Sequence, residues 1–315
     1  MNVTVRGPRA IRRSPTRAVV TVGMFDGVHL AHQRLIASTV SLARRLRGTS
    51  VVITFDPDPQ CVLDPAHAQP ALMPLDARVQ MLHALGIDLV WVIPFTTSFS
   101  RLRAEQFIRK VLIDRLHPLA LIIGENFMFG RRRHGDEALL RSVGPRYGMR
   151  IVAIPRVRHG GVPISSSRVR QLMAAGRLAD ARRLLGRPPE LYGQVVRGAG
   201  RGRRLGIPTI NLRVVSHVLP PRGVYAVQVH DVGTLRRRRL WPGVMNLGVR
   251  PTFGPGPLVC EIHLLGFSGT FHGRFLQVSL LARLRDERCF PSPQALVQHV
   301  RRDLARARRL FARLV

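Results

Sequence analysis

Apolar and polar positions change rhythm near the middle of the chain. In the first half, short apolar runs alternate with stretches that are apolar every third or fourth residue. Ala18–Met24 is mostly apolar and ends in Phe25-Asp26-Gly27, which predicts a strand entering a turn. His32–Arg47 places Leu35, Ile36, Thr39, Leu42, Ala43 and Leu46 at helical spacing, with arginines on the other face. Ser50–Phe55 is a second β-rich run, stopped by Asp56-Pro57-Asp58-Pro59. Helices are then expected at Arg78–Leu85, Ala104–Leu116 and Glu137–Tyr147, and strands at Leu89–Ile93, Leu119–Ile123 and Arg150–Ile154. Strands this apolar, alternating with helices, imply a parallel sheet covered on both faces, with ligands beyond the strands' carboxyl ends.

The second half reads differently. Val169–Leu185 predicts two short helices around Gly176, and Gly186-Arg187-Pro188-Pro189 then breaks the chain. Short strands follow at Gly193–Arg197, Thr209–Leu212, Gly223–Val229, Trp241–Leu247, Leu258–Leu265 and Phe275–Ala282. Their even punctuation by Gly and Pro suggests a small antiparallel barrel. The tail, Pro293–Val315, is an amphipathic helix with Leu296, Val297, Val300, Leu304, Ala307 and Phe311 on one face and arginines on the other. The expected domains are residues 1–187 and 188–315.

Composition narrows the class. A chain of 315 residues accommodates two domains, and 45% hydrophobic residues exclude disordered and fibrous classes. Three cysteines without CxxC or Cys/His spacing exclude a disulfide framework and a zinc ribbon. No apolar run approaches the roughly 18 residues of a membrane helix. Residues Arg6–Arg17 are basic and precede an apolar run, like a short signal peptide. The run passes into Asp26-Gly27 without a small-residue cleavage pattern, so it reads as a basic leader before a buried strand in a cytoplasmic protein.

The formal charge is +32, and all the cationic residues but Lys110 are arginine. A nucleic-acid partner and an anionic small molecule both explain such a balance. The arginines are spread along the chain, and with Trp 2 and Tyr 3 no aromatic ladder for single strands is visible. The expectation is therefore against nucleic acid.

Candidate chemistry sits first at Gly23-Met24-Phe25-Asp26-Gly27-Val28-His29-Leu30-Ala31-His32. A strand turning into a helix presents backbone N–H groups and a helix dipole to a phosphate. His29 and His32 share a face there, where imidazoles stabilise charge developing in a transfer reaction. Two ordinary polar residues at a helix start, or a partial metal site, are the other readings of that pair. Ser165, Ser166, Ser167 and Arg170 at another helix start form an anion site or a helix cap.

These blocks together resemble the adenylyltransferase module of bifunctional riboflavin kinase/FAD synthetases. The first is similar to the family's G-x-F-D-G-x-H-x-G-H. Thr54–Pro59 is similar to T-F-D-P-H-P, Gly124–Gly130 to G-x-[DN]-F-x-F-G, and Ile164–Arg170 to I-S-S-T-x-[IV]-R. Ala31 stands where the family has glycine. Asp58 stands where it has histidine, and an acid there repels polyphosphate unless Mg²⁺ or an arginine intervenes. In the second half, the Gly- and Arg-rich segment 198–206 leads into Pro208-Thr209-Ile210-Asn211, similar to the P-T-A-N of riboflavin kinases. Glu261 is an acid on an apolar strand and matches the family's general base. Blocks at Leu185–Pro188, Pro221–Tyr225, Asn246–Phe253 and Arg285–Phe290 also match, with departures at Pro189, Ala199 and Thr270–Gly273.

The resemblance covers roughly residues 17–312. It implies a Rossmann-like nucleotidyltransferase domain with a parallel sheet, followed by a riboflavin kinase-like barrel ending in a helix. It implies ATP, riboflavin and FMN as substrates, FAD as product, and Mg²⁺. The implied catalytic residues are Glu261, His29 and His32. Nucleotide and phosphates would be held by Gly23, Phe25, Asp26, Gly27, Asn126, Ser165–Ser167, Arg170, Gly198, Gly206, Thr209 and Asn211. Thr209 and Asn211 would hold the metal, and Arg285 the flavin. Two alternatives stand beside this: a riboflavin kinase with an impaired adenylyltransferase module, and an Arg-rich nucleic-acid-binding protein on the same fold.

Overall fold

The computed structural model describes residues 2–198, 200, 202, 205–215, 218–232, 240–249, 258–267, 269 and 271–313, with Pro293 by its backbone alone. The chain divides into two compact units, residues 1–70 with 75–167, and residues 71–74 with 168–315.

The first unit is built on a six-stranded parallel sheet in the order β1-β4-β3-β2-β5-β6. Its strands are β1 (Val3–Arg6), β2 (Val19–Val22), β3 (Ser50–Asp56), β4 (Leu89–Pro94), β5 (Ala120–Gly124) and β6 (Arg150–Ile154). Alternate residues of each strand feed opposite faces. Val20, Ile53, Trp91, Leu121 and Ile123 pack with Phe107 and Leu112 on one side. Val19, Ala120 and Ile122 pack against Leu42 and Ala43 of helix α1 (Leu30–Arg45) on the other. The strand order reverses beside β2, so the crevice between the ends of β2 and β5 is where such sheets bind ligands.

Two expectations change here. An unexpected strand precedes the basic leader and ends at its first residue, since β1 pairs in parallel with β4 from Val3↔Leu89 to Arg6↔Val92. Four mostly exposed residues on a sheet edge carry too little apolar pattern to announce it. The helix expected at Glu137–Tyr147 is α-helical only over Glu137–Val143 and tightens to a 3₁₀ turn at Gly144–Tyr147. Ala104–Leu116 is helical throughout but widens to a π-turn at Ile108–Ile113.

A short hairpin of β7 (Arg158–His159) and β8 (Val162–Pro163) follows β6, and the second unit holds a closed antiparallel barrel, β10-β13-β12-β11-β14-β9. Its strands are β9 (Glu190–Val196), β10 (Ile210–Val214), β11 (Gly223–Asp231), β12 (Trp241–Gly248), β13 (Val259–Leu264) and β14 (Phe275–Asp286). Leu191, Leu212, Tyr225, Val227, Met245, Ile262 and Val278 fill its interior. Val224, Ala226, Val244 and Leu284 point outward and are covered by Val300, Leu304, Ala307 and Phe311 of the terminal helix Pro293–Ala312. The arginines of that helix lie on its other face, as the amphipathic pattern requires. Helices Ser166–Ala174 and Leu178–Leu185 precede the barrel.

Candidate active sites

In the first unit, β2 ends at Val22 and the chain turns sharply before α1. Phe25 and Val28 adopt φ of 54° and 39°, with the Val28 N–H donating to the Phe25 carbonyl at 3.0 Å. A left-handed, β-branched Val28 is strained backbone, a feature that clusters at functional sites. The fully buried Phe25 ring and the Ser166 hydroxyl, donating to the Asp26 carbonyl at 2.9 Å, hold the turn. His29 is the N-cap of α1. Its Nδ1 accepts from the His32 N–H at 3.3 Å, so a neutral His29 carries its proton on Nε2 and can donate from there. The two imidazoles stack with centroids 3.6 Å apart. His32 Nδ1 is shut off from solvent without a hydrogen-bond partner. Burial, then His29 and Arg78, hold the His32 pKa well below the ordinary 6.5. His32 is therefore neutral at pH 7.

The turn borders a cavity of about 790 Å³ at the carboxyl end of the sheet, lined by Gly23, Met24 and a run of phenylalanines. Phe55, Phe99, Phe107, Phe129 and Phe127 follow one another with ring centroids 5.4–6.3 Å apart. Arg101 and Arg131–Arg133 also line it. Asn126, in left-handed backbone, turns its amide oxygen to accept from the Arg156 guanidinium. Asp58 does not stand free: its carboxylate accepts from the Gln60 N–H at 2.9 Å and caps the helix Pro59–Leu63. Ser165 and Ser167 are exposed, while Ser166 and Arg170 are half-buried on the same helix.

In the second unit, the register places Asn211 of β10, Glu261 of β13 and Asn246 of β12 side by side. Their neighbours Leu212, Ile262 and Met245 fill the barrel, so this row points outward. Thr209, Asn246, Glu261, His263 and Arg285 border a cavity of about 160 Å³. A Cβ on Gly198 would collide with the Asn211 amide. One on Gly202 would lie 2.5 Å from the Ile207 carbonyl and 3.0 Å from Thr209 Oγ1. Gly206 takes φ 73° in the turn that Ile207 N–H closes on the Gly202 carbonyl at 2.8 Å. Ala199, the loop arginines 201, 203 and 204, residues 250–253 and Thr270 lie outside the described residues.

Arg285 is committed to the terminal helix: its guanidinium donates to Asp303 at 2.9–3.3 Å and lies over the Phe290 ring. His263 donates from Nδ1 to the Pro208 carbonyl at 2.8 Å, beside Thr209. Glu287 accepts from the Val249 N–H at 2.9 Å. The Cys260 thiol, behind Glu261, is pushed up to about 12 by burial and then by the Glu261 charge, which excludes it as a nucleophile.

The sequence reading missed Arg78, His263, Glu287 and the phenylalanine cavity. Arg78 alone left a usable sign. It lies four residues before Leu82, on the helix face that buries Ala77, Val79 and Leu82.

Comparison with known proteins agrees with this division. A FAD synthetase family model matches residues 11–168, and a riboflavin kinase model matches residues 185–311. The bifunctional riboflavin kinase/FMN adenylyltransferase of Escherichia coli K12 is 36% identical over 308 residues, covering 98% of this chain and 97% of the relative. The Pseudomonas fluorescens protein of the same name is 37% identical with the same coverage. A crystal structure from Streptococcus pneumoniae, described as a macrolide-efflux protein, is 28% identical, with a TM-score of 0.84 and 98% of both chains covered. Among the described residues, no helix of this chain is long and apolar enough to cross a membrane. With matches to both family models in order and relatives aligned along nearly its whole length, the chain belongs to the bifunctional riboflavin kinase/FMN adenylyltransferase family.

Proposed function

We propose that the barrel unit transfers the γ-phosphate of ATP to the 5′-hydroxyl of riboflavin, and that the sheet unit joins the resulting FMN to the AMP moiety of ATP. The products are FMN and ADP, then FAD and pyrophosphate. One observation carries the reading: in each unit a candidate polyphosphate site borders a largely apolar cavity. Gly23 and Met24 line the phenylalanine cavity, and Thr209 and Glu261 line the barrel cavity.

In the barrel, Glu261 takes the proton of the riboflavin hydroxyl as it attacks the γ-phosphorus, and ADP leaves. Thr209 and Asn211 offer a hydroxyl and an amide oxygen, which suit a hard cation, and the close packing at Gly198 and Gly202 keeps their space free of side chains. These two residues would hold Mg²⁺, which when bound neutralises phosphate charge. Among the described residues, no cluster of three His, Cys, Asp or Glu could hold a metal. Arg285 holds the cavity wall through Asp303 and Phe290 and faces the flavin side.

In the sheet unit, an FMN phosphate oxygen attacks the α-phosphorus of ATP and pyrophosphate leaves. His29 donates from Nε2 to the developing charge, and neutral His32 packs beneath it. Gly23, Phe25, Asp26 and Gly27 shape the turn that receives the phosphates. Asn126 and Ser165–Ser167 bind the nucleotide. The isoalloxazine enters the phenylalanine cavity. We assign adenylyl transfer to residues 1–187 and phosphorylation to 188–315, both in the cytoplasm where ATP is made.

The test is chromatography of riboflavin, and separately FMN, incubated with the full chain and MgATP. FMN followed by FAD is the expected result. FMN alone would remove the adenylyltransferase assignment, and no product from either start would remove both.

A further inference from the structure

Arg78 lies on the helix Leu75–Ala84, outside the motif blocks quoted above, yet it is only 6% exposed. Its two terminal nitrogens donate to the carbonyls of Met24 at 2.8 Å and Phe55 at 3.2 Å. Those carbonyls follow or lie near the end of β2 and β3, which are neighbours in the sheet. One planar fork thus ties together the two backbone segments that lead into the phosphate turn and into Asp56–Pro59. The Met24 carbonyl also accepts from the Thr54 hydroxyl at 3.2 Å. Arg78 Nε has no partner, so the side chain's hydrogen bonding is spent on backbone position.

The surroundings are acidic. Burial lowers the Arg78 pKa, while Asp26, Asp56 and Asp58 raise it, so three carboxylates lie within electrostatic reach of a guanidinium that stays charged. Asp26 is in the phosphate turn and is itself only 4% exposed. A polyphosphate approaching this turn meets those carboxylates unless a fixed cation offsets them. His32 does not supply it, because it is neutral.

We propose that Arg78 is a positioning residue of the adenylyltransferase site, fixing the Met24 and Phe55 carbonyls and offsetting Asp26, Asp56 and Asp58 so that ATP can bind. This rests on the adenylyltransferase reading above. It also explains how the chain accepts Asp58 where its family has histidine. A lysine would keep the charge but not the two-pronged geometry.

The experiment uses the full chain and reads two reactions in each variant, riboflavin to FMN and FMN to FAD. Riboflavin phosphorylation reports whether the barrel unit is folded, and Trp91 fluorescence in a Trp241→Phe background reports whether the sheet unit is. Arg78→Met is expected to raise KM for MgATP in FAD formation by about thirtyfold, leaving riboflavin phosphorylation within about twofold of the parent. Adding Asp58→Asn to Arg78→Met should recover about fivefold of that loss, while Asp58→Asn alone changes KM by less than about twofold. A merely structural arginine would show no such recovery. Arg78→Lys should keep KM within about threefold and lower kcat about tenfold. An unchanged KM in Arg78→Met, or no recovery on adding Asp58→Asn, overturns the charge role. If Arg78→Met unfolds the sheet unit by Trp91 fluorescence, Arg78→Lys decides, and parental kcat and KM in it overturn the proposal. Absence of FAD from the parent chain would instead overturn the adenylyltransferase reading on which the proposal stands.

Discussion

The two phosphate-handling regions solve one problem with opposite materials. The sheet unit uses strained backbone and buried charge: left-handed Phe25 and Val28, stacked histidines, and Arg78 beneath them. The barrel unit uses regular strands, a cross-strand row of Asn211, Glu261 and Asn246, and glycines that leave room for them. The first presents donors from a helix start and a buried cation. The second presents side-chain oxygens on regular strands, which in the proposed mechanism would face a hard cation. Preorganisation is costly in the first through conformation and desolvation, and in the second through side-chain volume alone.

The largest effects should separate the two regions outright. Glu261→Ala is expected to lower riboflavin phosphorylation by about 10³-fold, the middle of the range for loss of a general base, while FAD formation from supplied FMN is retained. Steady-state assays from both starting flavins check this, and an equal loss of both would mean that the barrel's state controls the sheet unit. His29→Ala is the mirror test. FAD formation should fall by about 10²-fold, as for removal of one donor to developing charge, with riboflavin phosphorylation unchanged. If its rate of FAD formation holds, the histidine has no part in the transfer.

Smaller effects sharpen the contrast in materials. Gly198→Ala adds one methyl against the Asn211 amide, and a misplaced ligand should lower kcat/KM for riboflavin phosphorylation by about tenfold to a hundredfold. Titration of activity with Mg²⁺ should show a higher requirement in this variant. An unchanged requirement would detach Asn211 from the metal.

The smallest effect is a pH dependence of stability. His32 has a lower pKa folded than unfolded, so the unfolded chain binds the proton first as pH falls below about 6.5. Stability of the sheet unit should therefore decline on acidification, by at most about 1.4 kcal/mol per pH unit until the folded pKa is reached. Urea unfolding followed by Trp91 fluorescence in a Trp241→Phe background measures it. His32→Gln should flatten the slope, and a slope that persists assigns it to other groups.

What was legible in the sequence follows from range. The interior strands of the sheet are apolar on both faces, so runs such as Ser50–Phe55 announce themselves. The histidine turn was legible because its residues are adjacent. Elements whose polar groups find partners far along the chain were not. The break at Gly186–Pro189 hid the start of β9, where the buried Glu190 carboxylate accepts from Tyr192 and from Gln277, 87 residues away. β14 runs beyond the expected Ala282 because Arg283 reaches the Arg222 carbonyl and Arg285 reaches Asp303. The apolar helix face around Arg78 was legible, but its partners were not, since they are backbone carbonyls 54 and 23 residues earlier. Asp58, which the sequence sets against polyphosphate, proves to be a helix cap close to that arginine.

The short first strand has a colloidal consequence. β4 reads Leu-Val-Trp-Val-Ile-Pro, five of its six residues buried, and β1 covers its outer edge. Stripped of those four leading residues, the sheet would offer an apolar, strongly β-forming edge to any neighbouring chain, which is the geometry of edge-to-edge aggregation. The strand Val3–Arg6 thus acts as a protective selvedge, its pairing closed by Arg6 opposite Val92.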